Sequence, residues 1–409
     1  MGSRHGAAEK QEELYLGKSH RRRPRGDSQK NPAPKTQIDV LNFDITVFLV
    51  VTILVLIGVI MVFSASYQMA ANRPLFNNDA LYFLRQHGIY AFFGFVAMYF
   101  ISNVYYRTYS LFVSALYIVT VVLLIAVLIY GFAAGGATRW IDLPIIGNFQ
   151  PSEVAKATVI FTIALLVERL PHALKSWVGT FLFIGIVAAL VLLIMAPGGF
   201  STGLIVALIG FGMIFTASPY LLRFFVLGGI GVGFVTAYLG ITAYLGTGFR
   251  GDRVQAWLDP WADPSGTGYQ VIQSLYAVAS GGWFGLGIGN SRQASFIPEP
   301  QNDMIFAIII EELGLIGAGL ILILFAIFIW RGIVIAIKAP DVFGSMIAIG
   351  IVFAIASQTI INVGVVTNTI PNTGVTLPFI SYGGTSLLVT MALAGVLLNI
   401  SRYTKSQTR

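Results

Sequence analysis

The chain has 409 residues, of which 56% are hydrophobic and only 11% charged, with a net charge of +7. A soluble domain carries about 25% charged residues, so the composition excludes a soluble enzyme and marks an integral membrane protein. Cysteine is absent and the four histidines are scattered, which excludes disulfides and thiolate metal sites and argues against a histidine-built one.

Residues 1–43 are polar and basic, with Arg21-Arg22-Arg23-Pro24-Arg25 among them, and read as a disordered arm with no signal-peptide pattern. Apolar runs long enough for a spanning helix follow near 45–65, 87–103, 110–131, 153–168, 178–196, 201–217, 224–245, 304–330, 343–366 and 381–400. The expectation is an all-α polytopic fold with ten transmembrane helices. With both termini cytoplasmic, 18 of the 25 Lys and Arg fall inside, six fall outside and Lys156 falls within a helix. That asymmetry obeys the positive-inside rule. It makes residues 1–43 a cytoplasmic arm, 44–402 the membrane domain and 403–409 a cytoplasmic tail. The positive charge then faces anionic lipid headgroups. The Arg run lacks interleaved aromatics, so no nucleic-acid partner is expected.

Most outer loops are short, but residues 246–302 form a large extracellular loop between the seventh and eighth helices. Such a loop is functional or disordered, and Trp257, Trp261, Tyr269, Tyr276, Trp283, Phe284 and Phe296 argue for an interfacial fold. Tyr269 to Ala279 reads as a short amphipathic helix. Gly281-Gly282-Trp283-Phe284-Gly285-Leu286-Gly287-Ile288-Gly289 reads as a hinge or a site of close backbone packing; with no strand before it, a nucleotide loop is a poor match.

Four acids cluster where this loop meets the eighth helix: Glu299, Asp303, Glu311 and Glu312. Acids at or inside a membrane boundary are costly and mark function or buried pairing. By position, Asp303 reads as the N-cap of the eighth helix, a role worth about 1 kcal/mol. Glu153 and Lys156 share a helix face at i, i+3. A lone membrane Lys needs a partner, and the candidates are Glu153 nearby and Glu311 or Glu312 at a distance. The pair reads equally as a structural pin or as part of a substrate path.

Three separated motifs carry a resemblance. They are Asn148-Phe149-Gln150-Pro151-Ser152-Glu153-Val154-Ala155-Lys156; then Asp259-Pro260, Gly268-Tyr269-Gln270, Gln273-Ser274, Pro298-Glu299, Asp303 and Glu311-Glu312; and then Asn372-Thr373-Gly374-Val375-Thr376-Leu377-Pro378-Phe379-Ile380-Ser381-Tyr382-Gly383-Gly384-Thr385-Ser386. In that order, over about residues 45–402, the chain resembles the SEDS family, the FtsW, RodA and SpoVE group of bacterial cell-wall polymerases. Val375-Thr376-Leu377-Pro378 and the basic arm are most similar to the division and sporulation branch. Two stretches depart from the family pattern. Ala196-Pro197-Gly198-Gly199 lacks the usual polar residue after the proline, and Gln301-Asn302-Asp303-Met304 replaces His-Thr-Asp-Phe while keeping the Asp.

The resemblance implies a peptidoglycan glycosyltransferase that polymerises lipid II, an undecaprenyl diphosphate-linked disaccharide-pentapeptide, at the outer face of the bacterial cytoplasmic membrane and at the division septum. It implies a class B penicillin-binding protein transpeptidase and divisome proteins as partners, and Asp303 as the catalytic general base. Glu299 would tune Asp303. Positive charge for the diphosphate would come from Arg253, Arg250, Arg139, Arg292 or Lys156, since the guanidinium fork matches phosphate; an outer Arg can equally be an interfacial, snorkelling residue. Glu153, Gln270 and Ser381 complete the candidate substrate-binding set. A divalent cation (Mg2+ or Mn2+) could share the charge, although no compact ligand cluster is visible. The rival readings are a lipid II flippase, which needs Lys156 with Glu311 or Glu312, and a non-catalytic divisome scaffold.

Overall fold

The computed structural model describes residues 43–134, 137–143, 147–245 and 248–404. In chain order these form α1 (Ile45–Asn72), α2 (Tyr82–Asn103), α3 (Val113–Tyr130), β1 (Phe132–Ala134), β2 (Ala137–Leu143), β3 (Gly147–Phe149), α4 (Pro151–Arg169), α5 (Trp177–Met195), α6 (Phe200–Ala217), α7 (Leu221–Leu245), α8 (Gly248–Leu258), α9 (Tyr269–Gly281), α10 (Ile305–Ile337), α11 (Val342–Val366) and α12 (Gly384–Thr404). Every helix except α8 and α9 reaches 18 residues or more. Seven are long and apolar enough to cross a membrane by length and composition: α1, α3, α5, α6, α10, α11 and α12. Among the other three, α4 carries Glu153, Lys156, Glu168 and Arg169, and α2 carries Arg85 and His87.

The purely helical expectation needs correction. A three-stranded antiparallel meander joins α3 to α4, with Trp140 opposite Phe132 and Ile141 opposite Phe149. Gly131 ends α3 there, while Trp140 and Ile141 favour extended backbone. Within the stretch 246–302, the short helix expected from Tyr269 to Ala279 is α9, and α8 adds a second, unexpected helix. Helix α10 runs seven residues past its expected end, and α12 begins at Gly384 because Ser381 and Tyr382 lie in a bend. That last helix continues to Thr404, past the expected start of the tail at 403. Residues 1–42 of the basic arm and 405–409 lie outside the described residues.

The helices pack as a bundle in which α12 lies against α2, α10 against α1 and α11, and α4 against α3, α6 and α11. Small residues set the closest crossings, as is usual where backbones approach in membranes. A methyl group added at Gly58 of α1 would come 2.8 Å from the Phe379 carbonyl and the Ile380 Cα. The α1 backbone therefore leans directly on the loop that carries the third motif.

Two polar clamps join α1 to α10. At one end, Asp44 caps α1 by accepting from the Thr46 and Val47 amides at 3.1 and 3.2 Å, and it pairs with Arg331 of α10. At the other end, Ser64 donates to Glu312 at 2.7 Å and accepts from the Gly289 amide at 3.0 Å. On the cytoplasmic side of the expected topology, Asp341 caps α11 through the Gly344 amide and accepts from Tyr106 and Arg107, and Arg107 reaches Glu168 at 2.8 Å.

Helix α10 is broken at Gly314, whose φ of 69° and ψ of −178° are closed to most side chains. A break leaves carbonyls without amides on one side and amides without carbonyls on the other. The Gly-rich segment after α9 supplies both. Leu286 and Gly287 donate to the Glu311 and Glu312 carbonyls at 2.9 and 3.0 Å, while the Leu315 and Ile316 amides donate to the Gly282 and Trp283 carbonyls at 2.9 and 3.2 Å. Of the two readings of this segment, close backbone packing is the one the structure adopts. The short half-helix from Ile305 to Glu312 is buried on every side.

Candidate active site

Asp303 sits in the turn before α10, half-buried. It is not the cap. The N-cap position belongs to Met304, and no side chain caps the helix there. The carboxylate is thus not consumed by helix termination, and its main chain is what the fold grips. The Asn362 amide of α11 donates one N–H to the Asp303 carbonyl at 2.8 Å and the other to the Val375 carbonyl at 2.7 Å. One buried amide therefore fixes the acid to the loop of the third motif.

That loop wraps the carboxylate. Gly374, at φ 65°, brings its backbone so near that an added Cβ would lie 3.6 Å from Asp303 Oδ2. Asn372 organises the turn. Its Oδ1 accepts from the Gly374 amide at 3.2 Å, its Nδ2 donates to Gln270 Oε1 of α9 at 3.0 Å, and its carbonyl accepts from Arg253 Nη1 of α8 at 3.1 Å. Tyr382 N–H donates to the Gln301 carbonyl at 2.9 Å. The first motif joins through Thr385, whose hydroxyl donates to the Asn148 carbonyl at 3.2 Å and accepts from the Gln150 amide at 3.4 Å. The first and second motifs both join the third, and the third borders Asp303.

The electrostatics have a clear order. Burial pushes the Asp303 carboxyl from its ordinary value near 3.8 up to about 6. Its own backbone amide and Arg253 pull it down, nearby Glu299 pushes it up, and Arg139 pulls more weakly. Arg253 and Arg139 are each pushed below the ordinary guanidinium range by their own burial, while Asp303 opposes that shift. Two arginines and one carboxylate thus share a poorly solvated site. The Arg139 Nε on β2 is buried without a hydrogen-bond partner among the described residues. Arg139 also lines a small cavity with Leu124, Val127, Ser152, Leu193, Ile194, Pro197 and Gly199. The Ala196–Gly199 turn that departs from the family pattern supplies two of those walls. Glu299 is exposed, holds a left-handed φ of 48° and accepts from Asn302 Nδ2 at 2.7 Å. Such a φ is uncommon for a residue with a side chain and concentrates at functional turns.

The remaining candidates fall elsewhere. Glu153 and Lys156 form a buried ion pair at 2.7 Å, and Lys156 Nζ also donates to Gln358 Oε1 of α11 at 2.7 Å. The expected contact of Lys156 with Glu311 or Glu312 does not exist. Glu312 accepts from Ser64, and Glu311 accepts from the Ser291 hydroxyl and from the Arg292 and Gln293 amides. These two acids hold the Gly-rich segment at the break in α10, because its turn presents amide and hydroxyl donors that only a carboxylate satisfies so fully. Ser381 is buried with its hydroxyl accepting from the Leu377 amide at 2.7 Å, so it locks a turn. Gln270 ties α9 to Asn372. Arg292 is exposed, and its amide rather than its guanidinium holds Glu311. Arg250 lies on α8, with its side chain outside the described residues. Among the described residues no group of three or more His, Asp or Glu is placed to hold a metal ion, so the expectation of Mg2+ or Mn2+ gains no built site there.

Asn362 and Gln358 were not singled out from the sequence. Their signal is two amides four residues apart inside a largely apolar helix, hence on one face and about 6 Å apart along the axis. Through them the Glu153–Lys156 pair sits one helical turn from the residue that grips Asp303.

Comparison with known proteins gives a consistent picture. Residues 44–406 match the FtsW/RodA/SpoVE family, described as cell cycle protein. Stage V sporulation protein E of Bacillus subtilis (strain 168) is 42% identical over 368 residues, 88% of this chain and 98% of that protein. The probable peptidoglycan glycosyltransferase FtsW of Geobacter sp. (strain M18) is 37% identical over 370 residues, 88% of this chain and 97% of that protein. Among solved structures, a chain of a peptidoglycan synthase complex, in which polymerization and crosslinking are structurally coordinated, matches with a TM-score of 0.73 at 25% identity, covering 89% of this chain and 99% of that one. The rod shape determining protein RodA of Thermus thermophilus shares the fold with a TM-score of 0.64 at 21% identity, covering 88% and 97%. The chain belongs to the FtsW/RodA/SpoVE family of cell cycle proteins.

Proposed function

We propose that the protein is a peptidoglycan glycosyltransferase that polymerises lipid II at the outer face of the cytoplasmic membrane, with Asp303 as general base. The observation that carries this is a half-buried carboxylate, released from helix capping, raised to about 6 and coupled to two half-buried arginines. A general base works best when its pKa approaches the working pH, and about 6 serves better than 3.8. The acceptor sugar hydroxyl gives its proton to Asp303 as its oxygen bonds to the donor's anomeric carbon. The bond from that carbon to the lipid diphosphate breaks, and the departing oxygen keeps the electron pair. Arg253 and Arg139 are the cations placed to receive that charge, and in a poorly solvated site such charges act strongly.

The ten helices of 18 residues or more among the described residues support ten spans, and the Lys and Arg asymmetry supports cytoplasmic termini, a topology in which Asp303 is outside. The resemblance to the division and sporulation branch supports action at the septum with divisome proteins, and the solved synthase complex, which coordinates polymerization with crosslinking, supports a crosslinking transpeptidase partner of the class B penicillin-binding type. A lipid II flippase finds less support, because Lys156 is already neutralised by Glu153 and the other acids that reading requires are committed at the α10 break.

Purified protein with its transpeptidase partner, given labelled lipid II, should form glycan polymer. Asp303→Asn should reduce the rate by about 10²–10⁴-fold, the range of general-base contributions. Polymer formation undiminished by the substitution sinks the assignment of the base, and no polymer under any condition favours the scaffold or the flippase.

A further inference from the structure

The Gly-rich segment that clamps α10 carries side chains with no role in the site. Trp283 is 67% exposed, Phe284 84%, Leu286 38% and Ile288 57%. Four large apolar side chains within six residues form a patch that needs a partner. Helix α10 continues the patch at the break with Leu315 and Ile316, and further along its length with Leu320 and Ile323, all exposed.

The two clamps between α1 and α10 measure where this patch lies. Ser64, which accepts from the Gly289 amide, is twenty residues beyond Asp44 on one helix. At 1.5 Å per residue that is about 30 Å above the Asp44–Arg331 pair. On α10, Ile316, which donates to the Trp283 carbonyl, lies fifteen residues above Arg331, or about 23 Å. A bilayer's hydrocarbon core is about 30 Å thick. With the charged Asp44–Arg331 pair at one boundary, Trp283 lies in the outermost acyl region of the far leaflet and Gly289 at its edge. The segment cannot swing away from that depth, because four backbone hydrogen bonds fasten it to α10. Its backbone is also tolerated there, since the orphan groups of segment and broken helix satisfy one another.

We propose that Trp283–Ile288 is a re-entrant wedge in the leaflet opposite Asp44 and Arg331, its side chains packed against phospholipid acyl chains just beneath the headgroups. Phe284 lies deeper than Ile288. The depth argument fixes lipid as the occupant, and it stands independently of the catalytic role of Asp303.

The chain has no native cysteine, so single labels can be placed directly. Phe284→Cys, Ile288→Cys and, as an exposed control, Ser265→Cys would each carry a nitroxide in vesicles of phosphatidylcholine and phosphatidylglycerol. Power saturation with oxygen and with a water-soluble nickel chelate should place the label at 284 below the headgroups, the one at 288 shallower, and the one at 265 in water. Nickel access at 284 equal to that at 265 would overturn the wedge. Shielding of 284 from both reagents would also overturn it, because protein rather than lipid would then cover the patch. Should the labels disturb folding, quenching of unlabelled protein by brominated phosphatidylcholine provides a second readout: Trp283→Phe should lower the quenched share of tryptophan emission, and an unchanged share refutes the proposal.

Discussion

A carboxylate held beside two arginines would ordinarily ionise more easily than in water, yet Asp303 titrates near 6 because burial outweighs both cations. Its neighbours therefore tune the pH dependence of catalysis. Since the base must be deprotonated, polymerisation should be half-maximal near pH 6 and fall about tenfold per unit below it. Arg253→Gln removes the larger of the two cationic influences and should move that limb to higher pH, while Glu299→Gln should move it lower; pH–rate profiles of the three proteins check the order. The same shift affects stability. Between pH 3.8 and 6 the folded state holds a proton that the unfolded state has lost, so stability falls as pH rises through that window. Asp303→Asn carries no charge to lose, so at pH 7 it should melt at a higher temperature than the parent, as followed by thermal unfolding in detergent. A capping role predicts no such gain. From the sequence, position alone suggested the cap, and the family motif suggested the base. The cap reading fails because the helix begins at Ile305, one residue later than expected, which puts Met304 in the N-cap position with no side-chain cap bond there, a backbone detail that residue identity does not carry.

At the scale of elements, the break in α10 joins the membrane bundle to the segment around the site. Any side chain at residue 314 meets a φ of 69° and the Gly285 and Trp283 backbone. Gly314→Ala should therefore cost at least about 1–3 kcal/mol, the range for left-handed strain, and should release the Gly-rich segment. Limited proteolysis within residues 282–289, faster than in the parent, would register that release, and an unchanged digestion pattern would refute it. The run of glycines was legible in the sequence, but its purpose was not. Glycines in a loop and a glycine in a helix 25 or more residues later become one feature only when the backbone groups of both are seen to pair. The same holds for Glu311 and Glu312, which looked like partners for Lys156 because both needed compensation inside a membrane. Amides of the segment satisfy them first, at closer range.

For the molecule as a whole, the buried Glu153–Lys156 pair and Gln358 tie α4 to α11, and α11 in turn grips Asp303. Lys156→Ala leaves the buried Glu153 without its partner, a defect of about 3–5 kcal/mol, whereas replacing both by uncharged residues of similar size should cost far less. Thermal unfolding of Lys156→Ala and of the Glu153→Gln, Lys156→Met pair separates these cases. If the double variant is as unstable as the single one, the pair is not what holds the helices. Activity lost by the stable double variant would assign Lys156 a role at the substrate as well.

The membrane class, the ten apolar runs, the family motifs and the identity of the central acid all follow from the sequence, because hydropathy and local spacing are one-dimensional properties. What only the tertiary structure decided is how distant segments compensate one another. Asn362 holds Asp303 by its carbonyl, Arg253 and Arg139 converge on it from α8 and from a small sheet, and Glu311 and Glu312 serve the broken helix instead of Lys156. Burial and hydrogen-bond partners depend on which surfaces meet, and a pattern along one chain does not specify that meeting.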